Sequence, residues 1–217
     1  MARTGTNISA VAEFNVSVVL DAIRRRPGGI ARGDLVALTA LSGMTVSNVC
    51  RRLVDAGLVT ESVLPAAGRG KPPKIVRLDP DGGFAIGVHI DPAVVTYVVV
   101  DLAGQVRDHV STHTPTVQHP ARVVGEMVVT IEKLLDESGV DRSKLLGIGV
   151  AAPGPINATT GVVLNPPMLP NWHRVGLRGS LSVAMDLPVL LEKDTTAAVV
   201  AELWFAAPEA SRDFAFV

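Results

Sequence analysis

The stretch SGMTVSNVCRRLVDAGLV, Ser42 to Val59, decides how the first third of the chain is read. Ser42 stands where a side-chain oxygen can accept from the open amides of a following helix, and Gly57 stands where such a helix can stop in a left-handed turn. Between them Val46, Val49, Cys50, Leu53 and Val54 recur at three- and four-residue spacing, the stripe that a helix buries. Thr45, Ser47, Asn48, Arg51 and Arg52 are left on the opposite side. The spacing predicts a helix from roughly Gly43 to Ala56. At about 1.5 Å per residue it is about 21 Å long. Its polar, cationic face suits a DNA major groove about 12 Å wide.

Working outward, Val16, Val19, Leu20 and Ile23 predict an earlier helix, ended by Arg24-Arg25-Arg26-Pro27-Gly28-Gly29. Leu35, Val36 and Leu38 predict a short second one. Beyond Gly57, Leu58 to Leu64 and Ile75 to Leu78 read as two strands joined by Pro65-Ala66-Ala67-Gly68-Arg69-Gly70-Lys71-Pro72-Pro73. Three helices and a hairpin predict a winged helix-turn-helix over residues 1–80, with a double-stranded DNA operator as its partner. Arg51, Arg52, Arg69 and Lys71 are expected to neutralise phosphates or probe the minor groove. Thr45, Ser47 and Asn48 are expected at base edges. The Gly-Arg-Gly-Lys-Pro tip also resembles the core of an AT-hook. Cys50, on the buried stripe, reads as a small core residue rather than a redox sensor.

Charge supports the division. The 217 residues have a formal net charge of −1, yet residues 1–80 hold 11 Lys and Arg against 6 Asp and Glu, and the remainder holds 9 against 15. A basic head on an acidic, apolar-rich body points to a polyanion for the first and something else for the second. Asp79-Pro80-Asp81-Gly82-Gly83 is turn chemistry where the balance changes sign, which places the second domain at 84–217. The apolar runs Val94 to Val100 and Leu145 to Ile156 are shorter than the roughly 20 residues a bilayer requires. No membrane partner is therefore expected. The N-terminus lacks a secretory core and the only cysteine cannot form an internal disulfide, so a cytoplasmic location is expected and the three Asn-x-Ser/Thr triplets have no consequence.

In the body, Phe84 to Asp91, Val94 to Asp101 and Gln105 to Thr112 read as a meander of three strands. Pro120 opens a helix whose stripe is Val124, Met127, Val128, Ile131, Leu134 and Leu135, closed by Gly139. Leu145 to Ala151 predicts a buried strand and Leu177, Leu181 and Met185 a helix. Val189 to Glu192 predicts another strand, and Asp194 to Phe205 a final helix. The order βββαβαβα predicts a mixed sheet with helices on its faces, α+β and α/β in character, the order of the ribonuclease-H-like lobe of actin-like ATPases. Gly147-x-Gly149 lacks a third glycine at dinucleotide spacing. His109 and His113 lie on a strand and its exit, without helical metal-ligand spacing, so no metal site is expected in this chain.

Five motifs in order carry a resemblance: Gly87-Val88-His89-Ile90-Asp91, Asp101-Leu102-Ala103-Gly104, Gly147 to Pro155, Gly161-Val162-Val163-Leu164-Asn165 and Leu191-Glu192-Lys193-Asp194. Together with Ser-x-x-Thr-Val-Ser at Ser42 to Ser47 and Ala-Gly-Leu-Val at Ala56 to Val59, the chain resembles the regulators of the repressor/ORF/kinase (ROK) family. The resemblance implies a transcriptional repressor, active as a homodimer or higher homo-oligomer, whose body senses a sugar or sugar derivative through Gly154, Lys193 and Asp194.

Departures from the kinase members bear on catalysis. Where they have Asp-x-Gly-Gly-Thr, this chain has His89-Ile90-Asp91-Pro92-Ala93. Pro92 removes a backbone donor and Asp91 adds a negative charge beside the place of a phosphate. The family's Asn-Asp pair is Lys193-Asp194, which keeps the carboxylate that serves kinases as base, and Met168 replaces an Asn ahead of Trp172. No catalytic residues are therefore expected. A sugar kinase with an appended DNA-binding head is the alternative, and a body serving only for dimerisation is a third reading. The resemblance further implies that the second lobe lies beyond Val217, with a possible Cys-rich zinc motif. No cofactor is expected in the present chain, and weak effector binding by one lobe alone.

Overall fold

In the computed structural model, residues 8–63, 73–114, 120–167 and 169–205 are described. The chain divides into two compact units between Gly83 and Phe84.

The first unit contains α1 (Ile8–Arg24), β1 (Ile30–Ala31), α2 (Arg32–Thr39), α3 (Gly43–Asp55), β2 (Val59–Val63) and β3 (Lys74–Leu78). All three predicted helices are present. The two-residue β1 was not legible in the sequence. It pairs antiparallel with β3 and completes a sheet of order β1-β3-β2, with Ile30 opposite Val76 and Val59 opposite Leu78. Gly29 makes the approach to β1 possible. It sits at φ +88°, and a Cβ there would lie 2.6 Å from side-chain carbons of Ile75 and Arg77. One core unites the elements: Val19, Ile23, Leu35, Val46, Val49, Cys50, Leu53, Val59 and Val76 are all buried. Each such aliphatic side chain contributes about 1.5–3 kcal/mol by leaving water. Val54 departs from the predicted stripe. At 37 % exposure it stands at the rim of that core.

The second unit contains β4 (Phe84–Ile90), β5 (Val94–Asp101), β6 (Val106–His113), α4 (Pro120–Ser138), β7 (Leu145–Ala152), β8 (Ile156–Asn157), β9 (Val162–Val163), α5 (Leu177–Met185), β10 (Val189–Lys193) and α6 (Asp194–Phe205). The main sheet runs β10-β7-β4-β5-β6, parallel from β10 to β4 and antiparallel from β4 to β6. This is the predicted mixed sheet. A separate small β8–β9 hairpin lies between β7 and α5, where no strand was predicted. Period-two burial along β4 and β5 sends Ile86, Val88, Val95, Tyr97 and Val99 into one core with Met127, Ile131 and Leu134 of α4 and Leu177 and Leu181 of α5. Trp172 is in the same core, 2 % exposed.

Asp101 ends β5 with 3 % of its side chain exposed. Its Oδ1 accepts from the amides of Ala103 and Gln105, both at 2.9 Å, and its Oδ2 accepts from Arg107 Nε at 2.8 Å. The Asp-Leu-Ala-Gly motif is thus the brace of a turn. A buried carboxylate is tolerated there because each oxygen has a partner.

Candidate functional site

The exposed face of α3 is built from its own caps outward. Ser42 Oγ accepts from the Thr45 amide at 3.1 Å and is hydrogen-bonded to the Thr45 hydroxyl at 2.9 Å, so the helix begins where the sequence placed its cap. Thr45 and Ser47 are half-buried, and Asn48, Arg51 and Arg52 are exposed. The five candidate contacts therefore share one side of one helix, opposite the buried Val46, Val49, Cys50 and Leu53. Among the described residues neither Arg51 nor Arg52 is bound in an ion pair. Two uncommitted guanidinium groups beside an amide and hydroxyls are what phosphate and base-edge contacts require. The tip residues Arg69 and Lys71 lie outside the described residues. Met44, the second residue of α3 and 78 % exposed, is a neighbour that the apolar-stripe reading passed over.

The base of the hairpin is held by charge. Glu61 on β2 faces Arg32 at the start of α2 at 2.6 Å and Lys74 on β3 at 2.7 Å, with 17 % of its own side chain exposed. Arg77 donates to Ser62 Oγ at 2.8 Å and to the Gly28 carbonyl at 3.0 Å. These pairs tie the hairpin to the helices. Cys50 is fully buried below, and burial pushes its thiol up. That matches a packed, unreactive side chain.

In the second unit, Gly154 and Lys193 come together. They line a shallow concavity of 540 Å³ with Pro155, Ile156, Ala158, Glu192 and Thr196. A Cβ at Gly154 would stand 3.2 Å from Lys193 Cε, so the missing side chain leaves room for the lysine stem. Asp194 is the first residue of α6 and flanks this concavity without lining it. Its Oδ1 accepts from the Thr195 amide at 2.7 Å, a contact at the helix N-terminus that the dipole favours. Glu192 and Thr196 were not singled out in the sequence, because only the parallel pairing of β10 with β7 carries them beside Gly154. Asn165 is hydrogen-bonded to His173 Nδ1 at 2.9 Å. Met168 lies outside the described residues.

The turn from β4 to β5 has no amide to offer a phosphate. The Asp91 N–H donates to the Val94 carbonyl at 3.0 Å, Pro92 has none, and the Ala93 N–H donates to Asp91 Oδ1 at 2.9 Å. Thr114 braces the same turn by donating its hydroxyl to the Asp91 carbonyl at 2.6 Å. His109 and His113 are exposed on β6. Among the described residues, no group of three or more His, Cys, Asp or Glu side chains is arranged to hold a metal ion, and no helix is long and apolar enough to cross a membrane.

Comparison with known proteins agrees with this arrangement. Residues 14–70 match the MarR family and residues 85–217 the ROK family. An uncharacterized protein of Sinorhizobium fredii, y4fQ, is 28% identical over 82% of this chain and 45% of its own length. The xylose repressor of Caldicellulosiruptor bescii is 26% identical over 81% of this chain and 44% of its own. The chain spans about half the length of the curated relatives it matches. Among solved structures, a ROK family transcriptional regulator, a homologue of the E. coli MLC protein, superposes with a TM-score of 0.75 at 25% identity, covering 90% of this chain and 49% of that one. With a winged helix first and a ribonuclease-H-like lobe after it, the chain belongs to the ROK family.

Proposed function

We propose that this protein is a sequence-specific DNA-binding regulator of transcription, a repressor, that acts in the cytoplasm as a homodimer and responds to a sugar or sugar derivative. The observation that carries it is the capped α3, whose outward face offers Asn48, Arg51 and Arg52 without internal partners among the described residues. The similarity to a xylose repressor and to a ROK regulator supports the same direction. Phosphates supply most of the attraction and side chains at base edges the discrimination. Arg69 and Lys71 would extend the cationic surface along the wing.

The body is read as a sensor and not as an enzyme. Phosphoryl transfer depends on backbone amides that cradle phosphate, and the turn at Asp91, Pro92 and Ala93 has spent or lost every one. Gly154, Lys193 and Asp194 mark where an effector would bind. Hydroxyl-rich ligands suit a surface that mixes a carboxylate, a cation and a hydroxyl. An effector changes DNA occupancy only if it binds the DNA-competent and DNA-incompetent arrangements with different affinity.

The test is a titration of the protein against the DNA flanking its own gene at two salt concentrations, with and without a panel of pentoses, hexoses and ATP. Specific, salt-dependent binding shifted by one sugar without ATP turnover is the expected result. Sugar-dependent ATP consumption without specific binding would make the protein a kinase. Specific binding indifferent to every sugar would leave the body as a dimerisation platform.

A further inference from the structure

We propose that Met44 is a specificity-determining residue that reads the 5-methyl group of a thymine, next to the base read by Asn48; this deepens, and rests on, the DNA-binding reading of α3. Met44 is the second residue of that helix and 78 % exposed, the highest exposure of any large apolar side chain in the first unit among the described residues. On α3 the side chains of its exposed neighbours are polar or charged. Met44, Asn48 and Arg51 follow one another at i, i+4 and i+7 along one stripe, with Ser47 beside them, and all the apolar residues of α3 other than Met44 and the rim residue Val54 are buried.

An apolar group on a polar, cationic helix face meets few apolar partners on DNA. In the major groove the thymine methyl is the one such group that the four bases display. Recognition helices meet base edges with their N-terminal residues, and Met44 stands there two residues after the Ser42 cap. An unbranched thioether can follow the methyl across small changes in docking angle. Met44 and Asn48 are one helical turn apart, about 6 Å along the axis. With bases spaced about 3.4 Å apart, the thymine should lie within about two base pairs of the base that Asn48 contacts. Asn pairs best with adenine, so a thymine and an adenine this close together should be a fixed part of the preferred half-site.

The experiment begins by selecting the preferred duplex from a randomised pool with the unmodified protein. Each thymine of that duplex is then replaced in turn by deoxyuridine, which lacks only the methyl group. Dissociation constants are measured for the unmodified protein, Met44→Ala and Met44→Gln at one salt concentration. The expected result is one position per half-site where deoxyuridine weakens the unmodified protein about fourfold, the worth of one methyl removed from water. At that position Met44→Ala should bind both duplexes equally, with folding checked by circular dichroism. If no position shows a penalty, or Met44→Ala keeps the same penalty, the assignment is wrong. If the pool yields no preferred duplex, the DNA-binding reading fails and takes this one with it.

Discussion

Replacing Arg51 and Arg52 by Ala separates an electrostatic interface from a structural one. Each phosphate neutralised releases condensed counterions, so the logarithm of affinity falls against the logarithm of salt with a slope of about −0.9 per contact. Raising salt from about 50 mM to about 200 mM therefore costs about 3.5-fold in affinity per contact. If both guanidinium groups meet phosphate, the double variant should lose about 1.8 from the slope and about twelvefold from the difference between the two conditions. Stability should hardly respond. Both side chains are exposed and outside any ion pair among the described residues, and surface changes of that kind stay within about 0.5 kcal/mol. The assay is fluorescence anisotropy of a labelled operator over a salt series, beside thermal melts of each variant. Arg142→Ala serves as control, since Arg142 pairs with Glu132 at 2.6 Å and Asp136 at 2.7 Å in the other unit. An unchanged slope in the double variant, or an equal loss in the control, would remove α3 from the phosphate contacts.

Three further expectations concern the two units separately. Asp101→Asn should lower the stability of the second unit by about 1–2 kcal/mol, because it strips the charge-assisted bond to Arg107 from a buried turn; an unchanged denaturant midpoint would show the brace to be idle. Asp21 is pushed up by burial but pulled down further by Arg24 and Arg25, so its native pKa lies below the ordinary value of about 3.9. Its contribution is therefore complete above that ordinary value and fades as pH falls through the native one, so Asp21→Asn should destabilise near pH 7 and do so less at a pH below the ordinary value. A deficit of equal size at both pH values would contradict the assignment. Cys50, fully buried and with its thiol pushed up, should resist a thiol reagent at about pH 8 until the first unit unfolds. Rapid labelling of the native protein would overturn that.

The candidate interface was more legible in the sequence than the candidate pocket, and the difference lies in how far apart the cooperating residues are. Ser42, the stripe from Val46 to Leu53 and Gly57 all act within a few turns of chain, so cap, period and outward face could be read together. Val54 is the exception: it shares the three- and four-residue spacing of the stripe, yet it is 37 % exposed. Gly154, Glu192, Lys193 and Thr196 come from two segments that only a parallel strand pair brings side by side, and parallel pairing leaves no mark in either segment. The β8–β9 hairpin escaped notice for a related reason: two-residue strands have too few positions to show alternation.

By itself the sequence determined the helices with their stripes, the meander of three strands and the cationic face of α3, because period, capping and charge are local or additive properties. Tertiary structure decided which of these parts meet. It added β1 to the wing sheet, locked Glu61 between Arg32 and Lys74, and set Gly154 against Lys193. It also closed the turn at Asp91 on its own amides. The loss of glycines there suggested a missing phosphate site, but only the hydrogen bonds from Asp91 and Ala93 account for where the remaining donors went.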